Sequence, residues 1–179
     1  MRRRSREHHG RPVADLTPLE ISPVTDAAGY ETARALIEEY SASLGIDLCF
    51  QGLADELKRL PALYGPPSGA LWLAHSGALV CGMGALRASS ADTCEMKRLY
   101  VRPQARGGSV GRRLAETLIK VAAGMGYTRM RLDTLMSMHA ARRLYEGLGF
   151  RPIPPYYDNP LEGVIYLELV LSPGDRAGG

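Results

Sequence analysis

The sequence contains little cysteine and no long apolar segment. Only three of its 179 residues are cysteines, Cys49, Cys81 and Cys94, and no two of them have the CxxC spacing of a zinc site. The four histidines form no ligand cluster either. This pattern argues against a disulfide framework and a bound metal, and it predicts free thiols in a reducing cytoplasm. Each apolar stretch ends well short of the roughly 20 residues that cross a bilayer, so we expect no membrane partner.

Positive charge is scarce beyond the first twelve residues. The net charge is +3, but residues 1–12 hold five arginines and one glutamate, a charge of +4, which leaves about −1 for the other 167 residues. This segment lacks the apolar core of a secretory signal, and we expect residues 1–18 to form a disordered basic tail. A nucleic-acid-binding arm is the alternative, which the near-neutral remainder does not favour. One domain over 19–172 and a flexible end at 173–179 complete the expected organisation.

Apolar residues follow strand spacing and helix spacing in turn along the expected domain. Strands are predicted at 19–24, 70–75, 78–87, 92–101, 129–135, 150–153 and 164–171. Helices are predicted from Thr25 or Asp26 to Gly45, at 51–60 with a stop at Pro61, from about Ser109 to 124–126, and at 138–148. A Ser76-Gly77 turn would join the second and third strands into a hairpin. The helical crossover between the fourth and fifth strands makes them parallel, so we expect a mixed α/β sheet.

The most informative segment runs from Cys94 to Arg113, where a strand passes through a glycine-rich turn into a helix. Pro103 ends the strand because it lacks the N–H that a strand ladder requires. Glycines in the turn let the backbone approach a ligand closely, and the first N–H groups of the helix have no partner within it. Such a turn binds anions, most naturally phosphate. The positive charge there comes from Arg106, Arg112 and Arg113.

Spacing separates this turn from the commonest phosphate-binding motifs. The segment Gly107-Gly-Ser-Val-Gly111 fits neither Gly-x4-Gly-Lys-Ser/Thr nor Gly-x-Gly-x-x-Gly. The GXXG loop of RNA-binding domains joins two helices, whereas this turn follows a strand. Arg106-Gly-Gly-Ser-Val-Gly111 instead resembles the coenzyme A loop of the GNAT superfamily of acyl-CoA-dependent N-acetyltransferases, written Arg/Gln-x-x-Gly-x-Gly/Ala. Ser109 stands where the family usually has its middle glycine.

A second motif supports the same resemblance. The segment Ala141-Arg-Arg-Leu-Tyr-Glu-Gly-Leu-Gly-Phe150 is similar to the family's Ala-x-x-Leu-Tyr-x-x-x-Gly-Phe signature, although Met138 replaces an Asn that hydrogen bonds the cofactor in many members. The resemblance implies the GNAT fold, with about seven strands and four helices and a splay between the fourth and fifth strands. It also implies acetyl-CoA as cosubstrate, bound by Leu99, Tyr100, Val101, Arg106, Gly107, Gly108, Ser109, Val110, Gly111 and Arg112.

The resemblance further implies catalytic roles for two residues. Tyr145 matches the family tyrosine that protonates or hydrogen bonds the departing thiolate, and a phenol with an ordinary pKa near 10 suits that task. The alternative is that Tyr145 only fills the core. Glu95 stands where several members carry a base that takes the ammonium proton; the alternative is an ion pair with Lys97 on a solvated face. Strict alternation places Glu95, Lys97 and Leu99 on one face, unless a bulge shifts the count.

The acceptor site is expected in the long turn after the cofactor elements. Tyr156 and Tyr157 would line it and Asp133 would attract an ammonium group, unless the tyrosines are ordinary surface residues and Asp133 pairs with Arg129 or Arg131. The expected function is direct transfer of an acetyl group from coenzyme A to a primary amine of a small molecule, an amino acid or a protein. A non-catalytic acyl-CoA sensor or interaction module of the same fold is the alternative. The family resemblance also allows a homodimer.

Overall fold

The computed structural model describes residues 18–45 and 52–172, which form seven strands and five α-helices. The strands are β1 Leu19–Pro23, β2 Ala70–Ser76, β3 Leu79–Ala88, β4 Thr93–Val101, β5 Arg129–Leu135, β6 Arg151–Ile153 and β7 Val164–Val170. The helices are α1 Ala27–Leu44, α2 Leu53–Lys58, α3 Leu60–Tyr64, α4 Val110–Gly124 and α5 His139–Gly147, with a short 3₁₀ turn at Pro103–Ala105. The predicted tail up to residue 17, the predicted end at 173–179 and Cys49 lie outside the described residues.

The seven strands form one sheet in the order β1-β2-β3-β4-β5-β7-β6. Neighbouring strands are antiparallel except for β4 and β5, which run parallel because α4 crosses over between them. The predicted mixed α/β sheet is therefore confirmed.

β4 and β5 diverge soon after they begin. They pair only from Thr93 with Arg129 to Glu95 with Arg131, although β4 continues to Val101. On its other side β5 stays paired with β7 along its whole length. The predicted splay is present, and it leaves a gap in the middle of the sheet.

Two apolar layers hold the sheet and so position this gap. The amphipathic helix α4 buries Leu118 fully, in a core that also contains Tyr145 of α5. On the opposite face α1 and α3 bury Leu36, Ile37 and Tyr64 against β2 and β3. Each buried aliphatic side chain of this size contributes about 1.5–3 kcal/mol. The strands on both sides of the gap are therefore held in position by helices packed on both faces of the sheet.

Helix α1 begins and ends where the sequence predicts. Of the two predicted caps Asp26 is the one used, since its Oδ1 accepts the Gly29 N–H at 2.8 Å. Gly45 ends the helix with a left-handed φ of +62°.

Two details of the predicted fold are wrong. The helix expected over 51–60 is replaced by α2 and α3, because Pro61 lies in the first turn of α3, where no N–H is needed from proline. The described chain therefore has five helices instead of four. The hairpin turn is Gly77-Ala78, not Ser76-Gly77, since Ser76 pairs with Leu79 and Gly77 supplies a φ of +58° at the first turn position.

Candidate functional site

The glycine-rich turn forms the N-terminal end of α4. After the 3₁₀ turn the chain reaches Arg106, whose Nε donates to the Val101 carbonyl oxygen at 3.1 Å. Gly107 has a φ of +84° and Ser109 a φ of +59°. The serine therefore adopts a left-handed backbone conformation whose free-energy cost is lower for glycine than for serine. Within the described residues the Ser109 side chain makes no capping hydrogen bond. The first N–H groups of α4 therefore retain their capacity to bind an anion.

A cleft of about 810 Å³ opens between this turn, the diverging ends of β4 and β5, and the start of α5. The predicted residues that line it are Leu99, Tyr100, Val101, Arg106, Gly107, Ser109, Val110, Gly111, Asp133 and Tyr145. Two predicted cofactor residues, Gly108 and Arg112, are not among the lining residues. Arg112 instead pairs along its own helix with Glu116 at 3.4 Å. The cleft brings together the two motifs that the sequence places on separate elements.

Backbone groups of β4 face the gap. The Arg102 N–H donates to the Cys81 carbonyl oxygen of β3 at 2.9 Å. The alternation of a strand then directs the backbone groups of Leu99 and Val101 away from β3, to the side where the described part of β5 no longer pairs with β4. Backbone donors and acceptors left in such a gap can bind an extended ligand.

A bulge at Arg98 precedes these backbone groups. The register between β3 and β4 shifts there, so that β4 has one extra residue between Lys97 and Tyr100, and Arg98 has a φ of +56°. The bulge turns Leu99 toward α4, where it packs beside the core. Leu99 is therefore not on the face of Glu95 and Lys97. Of the two alternatives that the sequence left open, strict alternation and a bulge that shifts the count, the structure has the bulge.

Tyr145 lines the cleft from α5 while its side chain is only 7% exposed. Its ring packs edge-on against Phe150, with the ring centroids 5.7 Å apart. Burial raises the pKa of the Tyr145 phenol, with smaller contributions from Tyr40 and Asp133, so the hydroxyl stays protonated at neutral pH. No residue in the described part of the chain hydrogen bonds that hydroxyl. Tyr145 thus belongs to the core and to the cleft wall together.

Both carboxylate oxygens of Glu95 are engaged at the point where the strands diverge. Oε2 accepts from Nε and Nη2 of Arg87 at 3.1 and 2.9 Å, and Oε1 accepts from the Tyr156 hydroxyl at 3.0 Å. Lys97 Nζ lies 3.6 Å from Oε1. The predicted pairing with Lys97 is present, but it is buried instead of solvated, since the two side chains are 6% and 12% exposed. The role of Glu95 as a base stays a prediction.

A second cavity of about 390 Å³ lies beside the first and shares two wall residues with it, Lys97 and Arg98. The predicted acceptor residues Tyr156 and Tyr157 line this second cavity. They are not free surface side chains, because their rings contact each other at 5.4 Å between centroids and both contact Tyr166. Burial, followed by neighbouring carboxylates, raises the pKa of both phenols.

Asp133 lines the first cavity and pairs with Lys97, the two atoms Oδ1 and Nζ being 3.4 Å apart. It does not pair with Arg129 or Arg131, as one sequence interpretation had it. Instead, Arg129 pairs with Asp92 at 2.8 Å and Arg131 pairs with Glu168 at 2.7 Å. Asp133 is therefore a wall residue of the first cavity and the partner of Lys97, which lines both cavities.

The model of the acetyltransferase (GNAT) family matches residues 33–150, which is more than half of the chain. The chain belongs to the GNAT family. Membership makes it an acyltransferase with acetyl-CoA as its cosubstrate. An uncharacterised N-acetyltransferase of Schizosaccharomyces pombe is 39% identical to it over 157 residues, which cover 86% of this chain and 96% of that protein.

Solved structures have the same fold as this GNAT chain. An acetyltransferase from Streptococcus agalactiae matches it with a TM-score of 0.70 and 25% identity, over 86% of this chain and 98% of that one. A Salmonella typhimurium protein solved with its cofactor acetyl-CoA matches with a TM-score of 0.61 and 19% identity, over 86% and 94% of the two chains. The GNAT fold predicted from the two motifs is confirmed.

Two positions of this GNAT chain depart from the family pattern, and the structure accommodates both. Ser109 takes the left-handed backbone conformation although it is not glycine. Met138 lies at the entrance to α5 and lines the cleft, where its Sδ accepts the Thr134 hydroxyl at 3.7 Å. A thioether replaces the amide of many members, so the cleft has one polar group fewer at this end of β5.

The most consequential group missed by the sequence analysis is a buried ion pair between Glu56 and Arg98. The two residues are 42 positions apart and lie on α2 and β4. No local pattern links a charged residue of a short helix to a strand that far along the chain. Only the tertiary packing of α2, whose Leu53 and Leu57 lie beside the core that contains Tyr64 and Tyr100, brings them together.

The described residues contain no helix that is long and apolar enough to span a membrane. No group of three His, Cys, Asp or Glu side chains in the described ranges could hold a metal ion. The thiols of Cys81 and Cys94 are free and buried, and burial raises the pKa of Cys94 to about 12.

Proposed function

We propose that this GNAT chain transfers an acetyl group directly from acetyl-CoA to a primary amine of a small molecule, an amino acid or a protein. The observation that carries the proposal is the gap between β4 and β5, which opens into a cleft whose rim is the glycine-rich turn. No described cysteine is suited to carry the acetyl group in a covalent step, because Cys81 and Cys94 are buried and the raised pKa of Cys94 keeps it protonated. Direct transfer is therefore the simplest route.

The residues of the cleft fit coenzyme A in shape and charge. The N–H groups at the start of α4, with Arg106 beside them, would hold the diphosphate. The backbone groups of Leu99 and Val101 would hold the extended arm of the cofactor as a strand would. When it is bound, acetyl-CoA supplies an acetyl group activated as a thioester. A backbone N–H in the gap, aimed at the carbonyl oxygen of that group, would contribute about 2.7–4 kcal/mol in the transition state.

Tyr145 is the proposed acid. Its hydroxyl is protonated at neutral pH, has no partner among the described residues and belongs to a residue of the cleft wall. Such a group can donate a proton or a hydrogen bond to the departing thiolate of the cosubstrate. The packing of its ring against Phe150 holds the hydroxyl in one place.

The amine acceptor is proposed to enter through the second cavity. Tyr156, Tyr157 and Glu95 line that cavity, and Asp133 lines the adjoining cleft beside Lys97, a residue that both cavities share. The carboxylates of Glu95 and Asp133 are largely buried and would attract an ammonium group, and Glu95 is the proposed base for its proton. The cavity is smaller than the cleft, at about 390 Å³ against about 810 Å³, and besides Glu95 four of its lining residues are arginine, lysine or glutamate, which favours a small polar amine such as an amino acid or an extended side chain.

The experiment that tests the proposal measures thiol release from acetyl-CoA with a panel of amines, with mass spectrometry of the products. Wild type should release thiol and form an N-acetyl product with at least one amine. The variant Tyr145→Phe should bind coenzyme A and turn over at least a hundredfold more slowly. Binding of coenzyme A without transfer to any amine would contradict the proposal and favour an acyl-CoA sensor.

A further inference from the structure

A buried ion pair ties the bulge of β4 to α2. Nε and Nη2 of Arg98 donate to Oε1 and Oε2 of Glu56 at 2.8 and 2.6 Å, and the Tyr64 hydroxyl donates to Oε1 at 2.8 Å. The side chains of Arg98 and Glu56 are 5% and 6% exposed. A two-point contact of this kind fixes the orientation of a guanidinium as well as its position.

Both members of the pair are charged at neutral pH. Burial acts to raise the pKa of Glu56, but the hydrogen bonds and the charge of Arg98 outweigh it, and the pKa lies below its ordinary value. Burial likewise acts to lower the pKa of Arg98, and Glu56 more than compensates. Since both side chains are largely shielded from water, each stabilises the charge of the other and holds it in place.

The backbone at Arg98 needs such a restraint. Its φ of +56° lies in the left-handed region, which a bulge of this kind ordinarily fills with glycine. Among the described residues only Arg98 and Ser109 have this conformation without being glycine, and both line the cleft. A costly backbone conformation persists only where the surrounding contacts determine it.

We propose that Glu56 and Arg98 are positioning residues for acetyl transfer. Glu56, fixed by Tyr64, holds the Arg98 side chain, and that side chain holds the left-handed bulge. The bulge sets the direction in which the backbone groups of Leu99 and Val101 enter the gap. This inference rests on the proposed function, because it takes the gap between β4 and β5 to be the place where the acetyl group is transferred.

The comparison that tests it is between Arg98→Ala and Arg98→Gly. Both variants lose the ion pair and leave Glu56 equally unpaired, so they differ only in the backbone conformation that residue 98 prefers. Alanine should relax the bulge and lower kcat at least tenfold. Glycine adopts a positive φ without penalty, so Arg98→Gly should keep a kcat at least threefold above that of Arg98→Ala.

The matched control is Arg102, which pairs with Glu39 of α1 at 2.9 Å and lines neither cavity. Its φ is −56°, where alanine is the better residue. Arg102→Ala should therefore keep a kcat near that of wild type, and Arg102→Gly should not exceed it. If the variants at position 98 fold poorly, Arg98→Ala and Arg98→Gly are both made in a Glu56→Gln background, where no unpaired charge is left buried.

Three results decide the inference. A higher kcat for Arg98→Gly than for Arg98→Ala, with the reverse order at Arg102, supports it. An equal or lower kcat for Arg98→Gly overturns it and leaves the pair with a role in packing alone. If wild type acetylates no amine, the proposed function fails, and the midpoint of thermal unfolding then decides: Arg98→Gly should melt at or above Arg98→Ala, and a lower midpoint overturns the inference.

Discussion

Replacing Tyr145 with phenylalanine removes one oxygen atom from the cleft and should separate catalysis from stability. The ring and its contact with Phe150 remain, and the residue stays in the core. The hydroxyl has no hydrogen-bond partner among the described residues, so no such bond is lost on substitution. We expect the free energy of unfolding to change by less than about 0.5 kcal/mol.

The expected loss of activity is much larger. A positioned acid contributes about 10²- to 10⁴-fold, and each tenfold corresponds to about 1.36 kcal/mol of activation free energy. Tyr145→Phe should therefore lower kcat at least a hundredfold, which corresponds to an increase of about 2.7 kcal/mol in the activation free energy. Thiol release at saturating acetyl-CoA measures kcat, and urea unfolding measures stability in the same preparation.

Tyr127 provides the matched control, because it is also 7% exposed and its hydroxyl donates to the Ser68 carbonyl oxygen at 2.7 Å, outside both cavities. Tyr127→Phe loses that hydrogen bond and should cost about 1 kcal/mol of stability while leaving kcat unchanged. The two variants should thus show opposite patterns. A kcat for Tyr145→Phe within threefold of wild type would refute the reasoning.

Three further predictions concern the turn, the acceptor cavity and the buried ion pair. Gly107 has a φ of +84°, so Gly107→Ala should lower the free energy of unfolding in urea by about 1–2 kcal/mol. The φ of Gly108 is not left-handed, so Gly108→Ala should leave stability unchanged. Equal losses would argue against the turn geometry. Glu95→Gln should lower kcat/KM by at least about a hundredfold if Glu95 takes the amine proton, and a loss of less than threefold would exclude that role. The pKa of Glu56 lies below its ordinary 4.5 in the folded chain, so the ionised carboxylate contributes fully to stability above pH 4.5 and this contribution is lost as the pH falls further. Wild type should therefore lose stability in acid more steeply than Glu56→Gln. Urea unfolding midpoints measured across that pH range test this.

Short-range chemistry explains which features were predictable. Pro103 ends a strand, the glycines that follow allow a tight turn, and the spacing of Leu114 and Leu118 defines the buried stripe of α4. Each of these signals acts within a few residues, so the strand, the turn and the helix could be predicted together. The same holds for the Asp26 cap and for Gly45 at the ends of α1.

Features that depend on distant neighbours could not be predicted. A left-handed bulge is usually marked by a glycine, but this one has Arg98. The ion pair with Glu56, 42 positions earlier in the chain, stabilises an arginine at this position. Tyr156 reaches Glu95 across 61 positions, and Asp133 finds Lys97 across 36 positions when nearer arginines take other partners. The division of the predicted second helix into α2 and α3 could not be predicted for a local reason. Proline is compatible both with the end of one helix and with the first turn of the next, and Pro61 lies in the first turn of α3.

The most direct test of the account is a crystal structure of the chain with coenzyme A bound. We expect the diphosphate to lie on the N–H groups of residues 107–111. The extended arm of the cofactor should lie between β4 and β5, hydrogen bonded to the backbone of Leu99 and Val101. A cofactor bound elsewhere, or a gap closed by pairing of β4 with β5, would contradict it.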